Sequence, residues 1–346
     1  MRCKQIIDFN NMKYNINKIL EFVPIEKLML VVKANAYGHG YDKVVRFCYK
    51  QGVKWFAVAT YEEAIQVYKL NLPINILILG PTECENFKDL EEKKIHFCVT
   101  SFFELEYINK NCPKALYHIA FDTGMGRIGF NAEDVKKVLE KYKPIGLFTH
   151  LSVADVDPDF SHKQLNKFLS IAKKYKVKYV HALNSYGTIK YEKDPIYTLY
   201  RVGIMLYGGD DTGLFKPTMS FYARVSYIKK LEEDSFIGYG NTYVAKKGDI
   251  IATVSCGYAD GLPREVSNNA KVYCKGKLYN IIGNICMDQF MIKADENIKV
   301  GDFVEIYGEH ISIQELAKQC KTITYEIFCR NTSRSSKEYR GEKDEF

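Results

Sequence analysis

Along the first two-thirds of the chain, short apolar runs alternate with longer polar segments. The runs are LMLVVKA (28–34), WFAVAT (55–60), INILILG (74–80), IHFCVT (95–100), YHIAFD (117–122), IGLFTH (145–150), YVHAL (179–183) and LYRVGI (199–204). Segments with helical character lie between them, at 41–51, 61–70, 84–93, 101–111, 131–143, 160–176 and 185–193. In NAEDVKKVLEKYK, Asn131 suits an N-cap, and Val135, Val138 and Leu139 share one stripe. Runs that are apolar throughout, rather than alternating, suit parallel strands buried on both faces. Eight strands with their helices fill ~200 residues, the lower end of the range for a (β/α)8 TIM-like barrel. An open, doubly wound α/β sheet has the same local pattern, and the count of eight is what favours closure.

After residue 213 the pattern changes. SFYARVSYIKKL, DIIATVSCGYADGLPR, AKVYCKGKLYNIIGNICMDQFMIKA and VGDFVEIYG read as short strands with glycine-containing turns, and only 312–320 looks helical. The expected division is a barrel over 1–213 and a mainly β C-terminal domain over 214–346, with residues 1–10 free to pair with the β domain. The polar terminus RNTSRSSKEYRGEKDEF is expected to fray.

Composition narrows the class of function. A hydrophobic fraction of 47% and a charged fraction of 26% are those of an ordinary soluble globular protein. The net charge of +7 is spread along the chain, whereas a nucleic-acid binder concentrates it in a patch, so no nucleic-acid partner is expected. No run approaches the ~18 apolar residues of a membrane span, and the N-terminal residues have no apolar core of a signal peptide. Ten cysteines without a C-x-x-C pair argue against a zinc site or a disulfide framework. No metal is expected, and a reducing cytoplasm fits best.

In a βα barrel the carboxyl ends of the strands form one ring, and the active site lies there. Those ends are Lys33, Thr60, Gly80, Thr100, the loop after Asp122, His150, Asn184–Ser185 and Arg201–Gly203. A lysine ending an apolar strand can simply snorkel to solvent. Placed on one rim with Arg127 and Arg201, it asks for an anion among them, because clustered cations otherwise repel. DTGMGRIGF (122–130) contains a literal G-x-G-x-x-G. A dinucleotide site also needs an acid at the end of the next strand, and that strand ends in His150. The glycines are better read as loosening a loop that carries Arg127 to the barrel mouth.

These segments together resemble the alanine racemases, pyridoxal-phosphate enzymes with a βα barrel and a C-terminal β domain. The likeness runs from VVKANAYGHG through DTGMGRIGF, THLSVAD, LNSYG, YRVGIMLYG and SCGYADGLPR to GNICMDQFM. It implies interconversion of L- and D-alanine, supplying D-alanine for peptidoglycan, in a homodimer with shared sites. By resemblance, Lys33 bonds the cofactor aldehyde and, once displaced, serves as a base; a lysine among cations has the lowered pKa this needs. Tyr258, from the partner subunit, is the second proton carrier. A phenol is a weak base at neutral pH, so cationic neighbours are expected, with His150 and Arg201 supplying them. Arg201 contacts the pyridine nitrogen; guanidinium has donors only and cannot protonate it. That disfavours the transamination error, which an Asp there would promote. Arg127 meets the cofactor's phenolic oxygen and the substrate carboxylate, a task suited to a fork of donors, and the Met287 backbone N–H helps from the partner. Tyr37, Asn184, Ser185, Gly203 and Ile204 match positions around the cofactor or its phosphate, though Asn184 equally suits a helix cap.

Two positions depart from the family pattern. Ala120 stands where many members carry a carbamylated lysine, so another group or an ion is expected to orient Arg127. Ser333 stands where many have a phosphate-binding tyrosine. Rival functions are racemisation of another small amino acid such as serine, a pyridoxal-phosphate decarboxylase of the same fold, and a catalytically silent homologue. Arg201 speaks against the decarboxylase and Tyr258 against the silent homologue.

Overall fold

The protein is described from a computed structural model that covers residues 1–330 and 332–341. Its contacts divide into two compact units. One holds Ile16–Ala36 and Gly40–Leu206; the other holds Met1–Asn15, Tyr37–His39 and Tyr207 onward. The division therefore falls at Leu206, a few residues before the expected 213, and the second unit takes in the N-terminal fifteen residues.

After the N-terminal strand β1 (Cys3–Asp8), the first unit contains strands β2 (Leu28–Val31), β3 (Trp55–Val58), β4 (Asn75–Ile78) and β5 (His96–Val99). They are followed by β6 (Tyr117–Ala120), β7 (Gly146–Phe148), β8 (Tyr179–His181) and β9 (Tyr200–Val202). Each pairs in parallel with its neighbour in the order β8-β7-β6-β5-β4-β3-β2-β9. Thr198 N–H to Val180 O (2.9 Å) and Arg201 N–H to Leu183 O (3.1 Å) join the two ends into a nearly closed barrel. The strands are short and apolar because both faces are covered: all four residues of β2 are buried, and each such side chain contributes about 1.5–3 kcal/mol. The helices start where side chains satisfy their first N–H groups. Asn131 accepts from Glu133 and Asp134, and Ser101 forms a capping box with Glu104.

In the second unit, the long strand β10 (Met219–Lys230) organises an antiparallel barrel. Strands Ile250–Val254, Phe290–Ala294, Lys277–Ile282, Lys271–Cys274 and Phe303–Tyr307 close the ring back onto β10. β1 pairs antiparallel with β10, and Ser336–Arg340 adds in parallel to β1.

Three local expectations are corrected. Helix Phe9–Leu20 has no counterpart in the sequence reading. Its buried stripe, Phe9, Met12, Ile16 and Ile19, has helical spacing, but four asparagines of low propensity mask it. The β unit has a second helix, Thr324–Cys329, beside Ile313–Gln319; its β-branched and aromatic residues look like a strand. The terminus does not fray over Ser336–Arg340. Ladder bonds to β1, a Lys4–Glu338 ion pair (3.2 Å) and the Gln5–Ser335 hydrogen bond (2.7 Å) hold it. Asn331 and residues 342–346 of that segment lie outside the described residues.

Candidate active site

Lys33 is placed by an unusual piece of backbone. After β2, Val32 N–H still bonds Ala57 O at 2.8 Å. The chain then turns left-handed through Ala34, Asn35, Ala36 and Tyr37, with φ of 52°, 55°, 54° and 50°. For residues with a Cβ this costs roughly 1–2 kcal/mol each, so the surroundings must hold it. Ala36 N–H bonds Val32 O and Gly40 N–H bonds Asn35 O, both at 2.9 Å. Asn35 Oδ1 accepts from Tyr41 N–H (2.9 Å). Glu63 accepts from Ala34 N–H (2.6 Å) with one carboxylate oxygen and from Ala59 N–H (2.8 Å) with the other. This carboxylate was not legible in the sequence, since its partners lie at the ends of two different strands. The turn leaves Lys33 half-buried.

Lys33 lines a cavity of about 400 Å³ with Arg127, His150 and Arg201. Its apolar wall includes Leu79, Ala120, Ile128 and Phe148. Asp122 is an acid on this wall, but one of its oxygens accepts from the N–H groups of Gly124, Met125 and Gly126. Among the described residues neither Arg127 nor Arg201 forms an ion pair. The cavity therefore keeps positive charge available for an anionic ligand. Gly129 is required in the Arg127 loop: its φ is 111°, and a Cβ there would come within 2.8 Å of Ala120 O. Ala120 packs with Cys98, Phe148, Leu79 and Ile128. Where a lysine would brace Arg127 there is thus an apolar cluster, and Arg127 is exposed.

Arg201 is buried under the cavity. Its Nη1 lies 2.6 Å from His181 Nδ1 and 3.0 Å from His181 O. Its Nη2 donates to Thr149 O (2.6 Å) and Ala182 O (3.0 Å). Burial and the charge of Arg127 push the guanidinium down to about 9, which still leaves it cationic at neutral pH. His150 responds to this environment. Burial, then Arg201, Arg127 and Lys33, push it down to about 3. The expectation that His150 supplies positive charge is therefore corrected: it is neutral, and Arg201 carries the charge behind it. Gln164, buried on helix Pro158–Ala172, bonds His150 O (3.2 Å), Thr123 Oγ1 (3.3 Å) and Ser152 N–H (3.0 Å). It joins the loops after β6 and β7, and the sequence offered only its helical position.

Asn184 caps helix Ser185–Lys190, its Oδ1 accepting from Gly187 N–H at 2.9 Å. Ser185 Oγ accepts from Gly203 N–H at 2.8 Å, which brings the two loops together beside Ile204, itself buried. Tyr37 is buried and belongs to the second unit, where its ring stacks on Tyr207 at 4.7 Å. Ser333 is exposed.

In the second unit the Tyr258 and Met287 loops are bonded together. Tyr258 N–H donates to Cys286 O (3.1 Å), and Ala259 N–H donates to Met287 O (3.0 Å). Gly257 permits this approach, since a Cβ would lie 2.3 Å from both carbonyl oxygens. Tyr258 and Met287 are exposed, and Met287 borders a groove of about 510 Å³ with Tyr227, Phe236 and Tyr239. Beneath, Cys3, Cys256 and Asp260 place their donor atoms within 4.8 Å of one another. No motif signals this cluster. Its carboxylate is already engaged by Gly257 N–H (2.9 Å), Arg2 (3.4 Å) and Arg334 (3.5 Å).

Residues 7–211 match the alanine racemase N-terminal domain family, and residues 218–339 match the alanine racemase C-terminal domain family. Alanine racemase 2 of Caldanaerobacter subterraneus is 34% identical over 97% of this chain and 95% of its own. The crystal structure of alanine racemase from Bacillus anthracis with bound L-Ala-P superposes with a TM-score of 0.91 at 31% identity, covering 99% of this chain and 96% of that one. The Clostridium difficile alanine racemase in complex with cycloserine gives 0.87 at 31% identity, over 98% and 96%. The chain belongs to the alanine racemase family, which is pyridoxal-phosphate-dependent. Its activity is that of an alanine racemase, an isomerase.

Proposed function

We propose that this chain interconverts the alanine enantiomers through pyridoxal phosphate held by Lys33, with Tyr258 of a second copy carrying the proton on the opposite face. The observation that carries this reading is the cavity in which Lys33, Arg127, His150 and Arg201 converge while the wall acid Asp122 is spent on its own loop. Such a set fits a phosphorylated cofactor and a carboxylate substrate. When bound, the cofactor supplies an electron sink for the α-carbanion.

The remaining work falls to the chain. Lys33 Nζ takes or returns the α-proton on its face, and Tyr258 Oη does so on the other. Arg127 presents forked donors to the substrate carboxylate, and the Met287 N–H assists from the partner. Ser185 and the Ile204 N–H would hold the phosphate, with Gly203 N–H orienting Ser185 Oγ and Asn184 fixing the helix that carries Ser185. Neutral His150 passes the influence of Arg201 to the phenol without a charge of its own. The exposure of Tyr258 and Met287, and the aromatic groove beside Met287, support a homodimer with shared sites. The L-Ala-P and cycloserine complexes of the relatives support a ligand of alanine's size. No described helix is long and apolar enough to cross a membrane. Production of D-alanine for peptidoglycan in the cytoplasm is the role we assign.

The test is reconstitution with pyridoxal phosphate, borohydride trapping and D-amino-acid analysis with alanine, serine and lysine. Cofactor mass on the Lys33 peptide, with alanine racemised fastest, is the expected result. Mass on another lysine overturns the Lys33 assignment, and faster turnover of serine overturns the substrate assignment.

A further inference from the structure

Beneath Arg201, three histidines cross the barrel core in single file. His181 on β8 meets Arg201 through Nδ1 at 2.6 Å. Its Nε2 lies 2.9 Å from His118 Nδ1 on β6, and His118 Nε2 lies 3.1 Å from His96 Nδ1 on β5. All three rings are buried, His118 and His181 completely. β7 stands between β6 and β8 and would block the file, but its residue at this level is Gly146. A Cβ on Gly146 would lie 2.1 Å from His118 Nδ1. The missing side chain is what lets His118 reach His181.

The protons of this file are determined from one end. Guanidinium has no acceptor, so His181 Nδ1 must present its lone pair and carry its proton on Nε2. His118 Nδ1 must then accept, which puts the His118 proton on Nε2, and the same step fixes His96. A second proton on any of the rings would set two N–H groups head to head. Other charges act in the same sense. Burial comes first in pushing all three histidines down, His96 to about 4, with Lys178 acting on His96 and Arg201 on His118 and His181. At the far end Trp55 and Tyr179 set their rings edge-on against His96, at 4.9 and 5.7 Å.

We propose that His181, His118 and His96 are positioning residues: a polarised, neutral chain of Nε2–H imidazoles that holds Arg201 as a buried cation without a carboxylate. A buried guanidinium needs acceptors, and an acid would supply them while cancelling its charge. Three backbone carbonyls and the His181 imidazole, oriented by the rings behind it, supply them and leave the charge standing. After burial, that standing charge is the next influence keeping His150 neutral. With Arg201 facing the cofactor ring nitrogen, a point that rests on the proposed function, it also keeps that nitrogen unprotonated and so protects racemisation from transamination.

The experiment uses the full-length protein labelled with [15N]histidine, recorded by long-range 1H–15N correlation from pH 5.5 to 8, before and after loading with pyridoxal phosphate. Single His→Gln variants assign the signals. The expected result is three neutral Nε2–H tautomers that do not titrate over this range. An Nδ1–H tautomer or a titrating ring among the three overturns the chain, and this readout needs no activity. A second measurement follows pyruvate released per racemisation event in His118→Phe and His118→Gln. Phe fills the site but cuts the file, so pyruvate partition should rise by about tenfold, the scale of losing an orienting partner. Gln can accept from His181 and donate to His96, and should restore most of the loss. Equal partition in the wild type and both variants assigns the file to packing alone and overturns the proposal. Correct tautomers in a protein that does not racemise alanine would instead overturn the proposed function and leave the chain standing.

Discussion

The barrel mouth and the Tyr258–Met287 surface are built in opposite ways. In the barrel, each charged group stands at the end of a buried strand or on a loop tied to one. Lys33 is fixed by a left-handed turn that Glu63 clamps, and Arg201 by four hydrogen bonds to carbonyls and a histidine. In the β unit, Tyr258 and Met287 are 45% and 52% exposed, and two backbone hydrogen bonds link their loops. One region is organised by burial within a single chain. The other presents its chemical groups outward, on a backbone arranged in advance. One chain thus sets the electrostatics of the Lys33 face by itself. The tyrosine face is left for what it meets, which the proposed dimer supplies.

The largest effect should come from removing the anchored side. Lys33→Ala should lower alanine turnover in both directions by more than about 10⁴-fold, beyond the usual cost of one acid–base group. D-amino-acid analysis measures it; retention of turnover would mean that another amine carries the cofactor. Breaking the presented side should cost roughly 10²–10⁴-fold. In Tyr258→Phe both directions should fall, while α-proton exchange into deuterated water persists for D-alanine alone, the enantiomer that the resemblance assigns to Lys33. Exchange of both enantiomers would assign one base to both faces. Mixing Lys33→Ala with Tyr258→Phe chains should restore activity in heterodimers, which carry one site with both defects and one with neither. No recovery after verified subunit exchange would place both groups in one chain's site.

Smaller effects test how the barrel side is held. Gly129→Ala adds a Cβ at φ 111°, 2.8 Å from Ala120 O, and should cost about 1–3 kcal/mol by denaturant unfolding. Glu63→Ala removes the acceptor of two N–H groups and should cost about 1–3 kcal/mol, with a larger loss in kcat than the stability change explains. The pH dependence should be gentlest. His150 and His96 are pushed down to about 3 and about 4 in the folded chain, against ~6.5 when unfolded. Below pH ~6.5 the unfolded chain takes protons that the folded one refuses. Stability should therefore be level above pH 7 for these groups and fall as pH drops from 6.5 towards 4. The slope approaches ~1.4 kcal/mol per pH unit per histidine. His96→Gln should reduce that slope, and an unchanged slope would show that His96 is not held neutral.

Much of the architecture was legible because it is local. Eight apolar runs, their intervening helices and the lysine closing the first run are written in consecutive residues, and so are GYADG and the glycine loop carrying Arg127. Backbone periodicity is a property of neighbours in the chain, so the barrel could be counted before it was seen. The helix Phe9–Leu20 escaped because asparagines weaken its propensity signal while its apolar stripe remains. The strand Ser336–Arg340 escaped because its partner, β1, lies at the other end of the chain.

The order of residues along the chain places particular side chains at the strand ends, and with them the cationic character of the mouth. Their chemical states follow from the folded surroundings. His150 reads as a cation in the sequence and is neutral in the fold, because desolvation and the nearby guanidinium both oppose its charge. Asn184 could be read as a cofactor ligand or a cap, and the fold spends its Oδ1 on Gly187. The histidines under Arg201 meet because Gly146 opens the path between β6 and β8. In each case the deciding energy is desolvation or a hydrogen bond between residues that only the closed barrel brings together. Such energies depend on distance in space, which the spacing of residues along the chain does not carry.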